Sequence, residues 1–165
     1  DQNEALKWIH NNANNLGGDP ERITVSGHGS GATLASYHLF IKQSHDLFRN
    51  IILQSGTPLS SSLSPIRAEV ATQRAQELVE KIGCNQPEYI ECLQASENIT
   101  EASIELFNQF TNDDFVSKIY FKTYFPPSID NILLLNLPQH SFESGRFKQC
   151  SILTGNVAHE GNSVI

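Results

Sequence analysis

The run Gly27-His28-Gly29-Ser30-Gly31 follows directly on the β-rich stretch Ile23-Thr24-Val25-Ser26 and leads into Ala32 to Lys42, which reads as a helix. Glycines at this spacing predict a sharp turn from a strand into a helix, with Gly27 opening the turn and the two backbones too close for larger side chains. In an elbow of the form G-x-S-x-G, the central serine carries its hydroxyl alone above the sheet. Here the frame puts Gly29 in that slot. Ser30 comes one residue late, and a shift of one residue sends its hydroxyl to a different side of the turn. His28, the intervening residue, is expected to be packed and hydrogen-bonded.

The rest of the chain alternates helical and extended patterns, which predicts the α/β class. Leu6, Ile9, Ala13 and Leu16 fall at helical spacing before Gly17-Gly18, and Ile51-Ile52-Leu53 reads as a buried strand. After a polar connection at Ser60-Ser61-Ser62 with Pro65, a helix is predicted from Ile66 to Ile82, stopped by Gly83. Pro87 to Phe125 is helical but irregular, and Leu106, Phe107, Phe110, Phe115 and Tyr120 are expected to pack in the core. Near the end, the strand-like Ile152-Leu153-Thr154 leads into the loop Gly155 to Gly161, at the carboxyl end of a strand, where α/β folds place functional side chains. A chain of 165 residues suffices for one core, and no internal repeat, low-complexity tract or linker divides it.

Charge excludes one class of partner. The net charge of −7, without a basic cluster, argues against nucleic acid, whose phosphates need grouped Lys and Arg. No run of 18 apolar residues predicts a membrane segment in this stretch, and the reading calls for no cofactor and no metal ion.

Longer stretches carry a resemblance. Asp1-Gln2-Asn3-Glu4-Ala5-Leu6-Lys7-Trp8-Ile9 followed by Leu16-Gly17-Gly18-Asp19-Pro20-Glu21-Arg22-Ile23-Thr24-Val25-Ser26-Gly27 resembles the approach to the serine in the type-B carboxylesterases and cholinesterases. Ile52-Leu53-Gln54-Ser55-Gly56-Thr57-Pro58, Gly83-Cys84 with Cys92-Leu93, Phe125-Pro126-Pro127-Ser128-Ile129-Asp130 and Gly145-Arg146-Phe147-Lys148 continue the likeness in order, up to Thr154-Gly155-Asn156 and Glu160-Gly161. The resemblance implies an α/β-hydrolase fold, partial here, with residues 1–165 forming part of a single domain from the helix before the elbow to the acid loop. It further implies that a glycine-rich oxyanion loop precedes Asp1 and that the catalytic histidine follows Ile165.

Within this stretch the resemblance assigns Gly29 to the nucleophile position with the serine lost, Glu160 to the acid of the triad, and the backbone N–H of Ser30 to the oxyanion hole. His159, beside the acid, is not expected to reach the elbow as a substitute base. The resemblance also implies a disulfide between Cys84 and Cys92. On one straight helix their Cα atoms would lie about 12 Å apart, but Asn85-Gln86-Pro87 breaks the helix, and spacing alone leaves two unpaired thiols open. Cys150 is expected to be a buried thiol rather than a nucleophile.

Asn98-Ile99-Thr100 is an N-glycosylation sequon in a polar stretch, and with the implied disulfide it points to the secretory route, a secreted or cell-surface protein. Two functions fit. A non-catalytic protein that resembles neuroligins, with glycine in the serine position, would bind a small ester, a cationic ligand or a protein partner in adhesion. The alternative is part of an active serine ester hydrolase whose serine is altered in this sequence.

Overall fold

Three strands, β1 (Thr24–His28), β2 (Asn50–Gln54) and β5 (Ser151–Gly155), form a parallel sheet in the order β1-β2-β5. Their register sets Gly27 opposite Leu53 and Leu53 opposite Thr154, so all three carboxyl ends reach the same rim. The computed structural model describes residues 1–113 and 122–163. These fall into two units, Asp1–Ser64 with residues from Ile129 onward, and Pro65–Ser128.

In the first unit, α2 (Ser30–Tyr37) lies on the sheet, and its small residues Ala32, Ala35 and Ser36 are buried. The core gathers these alanines with Tyr37, Leu39, Phe40, Phe48, Ile51, Leu53 and Leu134. Two expectations change here. β1 runs through Gly27 and His28, so Gly27 lies within the strand instead of opening the turn. The helix expected to reach Lys42 ends at Tyr37, because residues 38–40 turn more tightly, each N–H bonding the carbonyl three residues back. Tyr37, His38, Leu39 and Phe40 are all buried there.

The amino-terminal helix α1 (Gln2–Asn12) buries a single residue, and it is polar: Asn3. Ser44 Oγ donates to Asn3 Oδ1 at 2.8 Å, His38 Nδ1 lies 2.8 Å from Ser44 Oγ, and His38 Nε2 lies 3.1 Å from Gln2 Oε1. Because His38 is 3% exposed, burial holds its imidazole below the ordinary range. Trp8 and Ile9 are exposed at the other end of the same helix. Polar bonding thus supplies the deeply buried part of the α1 contact.

The second unit is helical: α3 (Ala68–Ile82), α4 (Tyr89–Ala95) and α5 (Ile99–Asp113), with the two-residue strand β3 (Ile66–Arg67) ahead of α3 and β4 (Ser128–Ile129) beginning at the unit's last residue. The predicted helix therefore starts two residues late, since Ile66 is extended and its N–H donates to the carbonyl of Pro127. Arg74 on α3 stacks over the rings of Phe110 and Tyr124, at 4.9 and 4.8 Å, and donates to the Tyr124 carbonyl. Tyr124 in turn donates its hydroxyl to Glu77. Of the apolar residues assigned to the core, Leu106 is buried, Phe107 is 39% exposed on α5, and Phe115 and Tyr120 lie outside the described residues.

Cys84 and Cys92 are joined, with Cα atoms 5.7 Å apart. The helix break between them lets the chain just past α3 meet the middle of α4, with Gly83 in the left-handed conformation directly after α3.

Three outcomes follow for the full-length protein. Replacing Ser44 by Ala strands polar atoms of Asn3 and His38 in a buried site and should lower unfolding free energy by about 1–3 kcal/mol, read by denaturant titration. Since the folded pKa of His38 lies below its unfolded value near 6.5, the unfolded chain binds more protons; this contribution to stability is complete above about pH 6.5 and drains away as pH falls through the folded value. His38→Gln should flatten the stability profile in that window. The Cys84→Ser/Cys92→Ser pair should cost about 2–3 kcal/mol for so short a loop, and non-reducing peptide mapping should recover the two cysteines linked.

Candidate active site

The site is built on the carboxyl rim of the parallel sheet, where strands end and backbone polar groups lose their ladder partners. At the tip of β1 the chain reverses through Gly29, with φ 56° and ψ −124°, and enters α2 at once. Only glycine takes such a conformation without a steric penalty. The turn is held from three sides. Gly29 N–H donates to the Gln54 carbonyl at the tip of β2 (2.8 Å), and Gly29 O accepts from the N–H groups of Ala32 and Thr33 in the first turn of α2.

Strand and helix backbones touch at Gly27, whereas at Gly31, expected to be equally tight, a Cβ would meet nothing within 4 Å. A Cβ on Gly27 would lie 2.3 Å from the carbonyl oxygen of Gly31. Just beyond β2, a Cβ on Gly56 would lie 2.2 Å from the Gly29 carbonyl oxygen and 2.8 Å from the Ala32 Cβ, so the following loop also passes against the elbow with no room to spare. At Gly29 itself a Cβ would meet nothing within 4 Å. The elbow is thus tight on its flanks and open at its tip.

On the same rim, Ser55 follows β2 with φ 52°, uncommon for a residue with a side chain, and its N–H donates to the Gly155 carbonyl at the end of β5 (2.9 Å). That conformation lets Ser55 Oγ donate to Glu160 Oε1 at 2.5 Å, and the same carboxylate oxygen accepts from Val157 N–H at 2.9 Å. The Ser55 hydroxyl, and then the Val157 amide, hold the Glu160 carboxyl below its ordinary range; a smaller pull comes from His28. Glu160 is therefore an acceptor fixed in direction and kept ionised, the properties required of a carboxylate that orients an imidazole and stabilises its charged form.

The residues singled out by sequence divide accordingly. Gly29 and Glu160 stand on one rim, linked through the tip of β2, where Gln54 bonds the first and Ser55 the second. Ser30 is the first residue of α2 and is exposed; its N–H is among those a helix start leaves without an intrahelical acceptor. His28 is exposed at the strand end, not packed as expected, because β1 continues to it and its side chain falls on the open face. His159 is exposed in the turn before Glu160, and Asn98 is exposed immediately ahead of α5. Cys150 is half-buried against the core rather than fully buried, with burial pushing its thiol up.

Ser55 is the residue that sequence reasoning missed. Its signal was available: a serine followed by glycine, one residue beyond the apolar run Ile51-Ile52-Leu53, sits where a parallel strand delivers polar side chains to a rim.

This layout and its tight elbow belong to a known class. The chain belongs to the carboxylesterase family, whose model matches residues 1–165. It is 36% identical to an acetylcholinesterase of Bungarus fasciatus, covering 98% of this chain and 26% of that protein, and 30% identical to an acetylcholinesterase of Myxine glutinosa, covering 98% and 47%. The chain thus spans between a quarter and a half of the length of these relatives. In structure it is similar to a thermophilic PNB esterase, with a TM-score of 0.80 and 24% identity over 99% of this chain and 32% of that one. Its fold is part of an α/β-hydrolase fold.

Removing the hydroxyl that fixes the acid tests the rim directly. Ser55→Ala should raise the Glu160 pKa toward that of a free glutamate, read as an upward shift of its side-chain carboxyl titration by NMR. An unchanged titration would mean that the Val157 amide alone holds the carboxylate.

Proposed function

We propose that this chain is the elbow-to-acid portion of a cholinesterase-like protein of the secretory route that binds its ligand or partner without turning it over. The observation that carries the reading is Gly29. The turn residue that would present a nucleophile has no side chain, while the close approach at Gly27, the Gln54 bond to the elbow and the Ser55–Glu160 pair are all built around it. Loss of the serine alone lowers turnover by about a millionfold in a serine hydrolase of another fold, so any residual rate would rest on the oxyanion donors, the Ser30 N–H among them. Glu160, as the acid position, would orient a histidine contributed from elsewhere in the protein. The ligand would be a small ester or a cation, or, in an adhesion role, a protein surface.

The linked cysteines and the exposed sequon at Asn98 support the secretory route. No helix among the described residues is long and apolar enough to cross a membrane.

One observation favours the second reading, part of an ester hydrolase whose serine is altered here. A Cβ at Gly29 has open space, so a serine would fit without displacing a neighbour, at the cost only of its backbone conformation.

Organophosphate labelling of the full-length protein separates the two. Both readings expect no labelled peptide from the protein as it stands; labelling of Gly29→Ser at residue 29 would show the remainder of the site intact and favour the ester-hydrolase reading. Labelling at Ser30 that disappears in Ser30→Ala would overturn the assignment of Gly29. No labelling of Gly29→Ser would place the loss of function beyond the elbow and strengthen the binding role.

A further inference from the structure

Away from the rim, the helical unit carries an open groove of about 390 Å³ along one side of α5. Its walls include Ile99, Thr100, Ile104 and Phe107 from the helix and Tyr124 and Phe125 from the segment that returns beside it, and among the described residues none that lines it is charged. Phe107 and Phe125 are 39% and 44% exposed there, and Ile104 is 52% exposed. Clustered apolar surface of this kind calls for an occupant.

The position of the sequon names one. Ile99 and Thr100, the second and third residues of Asn98-Ile99-Thr100, are themselves groove wall, and Asn98 stands exposed at the mouth with its backbone engaged at the start of α5. From Ile99 to Phe107 the groove runs about 12 Å along the helix axis at 1.5 Å per residue, a length that suits a few sugar rings laid end to end. A pyranose presents C–H groups on its faces and hydroxyls at its rim, so it can lie on aromatic and aliphatic side chains while its polar edge stays in water. A covalent tether at the groove mouth makes the contact intramolecular and keeps its local concentration high.

We propose that an N-linked glycan on Asn98 folds back along α5 and covers the groove formed by Ile104, Phe107 and Phe125. The inference rests on the secretory-route reading but not on any reading of the elbow.

The test uses the full-length protein secreted from a eukaryotic host. Glycopeptide mass spectrometry should find Asn98 occupied, and trimming the glycan to its first sugar on the folded protein should raise binding of the apolar dye bis-ANS at least about twofold. Asn98→Gln should reproduce the rise. Adding Phe107→Ser to Asn98→Gln should remove it, whereas Thr100→Ser, which preserves the sequon, should leave dye binding as in the parent. An occupied Asn98 whose trimming leaves dye binding unchanged would overturn the proposal alone. An unoccupied Asn98 together with free thiols at Cys84 and Cys92 would overturn both the proposal and the secretory-route reading.

Discussion

The contact between the β1 and α2 backbones fixes the geometry on which the rest of the first unit depends. With a Cβ on Gly27 only 2.3 Å from the Gly31 carbonyl, the helix could not descend onto the strand at this angle if residue 27 carried a side chain. The close approach buries Ala32, Ala35 and Ser36 against the sheet, and it obliges the chain to reverse within one residue. That reversal is Gly29, whose conformation is expensive for anything but glycine yet is held by bonds from the β2 tip and the first turn of the helix. Gly56 extends the same constraint to the next loop, which can cross the elbow only because it too lacks a side chain there.

A parallel sheet then brings distant polar groups together at no further cost in chain reversal. Because β1, β2 and β5 point the same way, their ends deliver Gly29, Ser55 and the loop to Glu160 to one rim, though 105 residues separate the serine from the glutamate. The hydroxyl and amide that Glu160 accepts do for an exposed carboxylate what burial would do badly: they fix its direction while favouring its charge.

The opposite end of the first unit solves a different problem with similar means. His38, Ser44 and Asn3 share a buried site that is satisfied throughout, and removal of any one partner leaves the others desolvated and unpaired. Its cost is sensitivity to acid, since a charged imidazole is disfavoured there. In the helical unit, the disulfide and the Arg74 stack between aromatic rings perform the joining, in keeping with helices of which α3 buries no residue fully.

Local rules made the elbow and the end of α3 legible from the residues alone, because glycine spacing, caps and apolar periodicity act over a few positions of the chain, while the family was legible only through the likeness of longer stretches. The same rules misplaced the end of α2 and the start of α3, where burial of residues 37–40 and the bond from Ile66 to Pro127 decided the outcome. They gave His28 a packed setting that an open face of β1 does not provide. Ser55 escaped notice because its partner is 105 positions away, and the His38 cluster because its members are drawn from positions 2, 3, 38 and 44. Sequence determined which residues could stand at the tips of the strands and helices; only the tertiary structure, by aligning parallel strand ends and closing a buried site around polar groups, decided which of them meet.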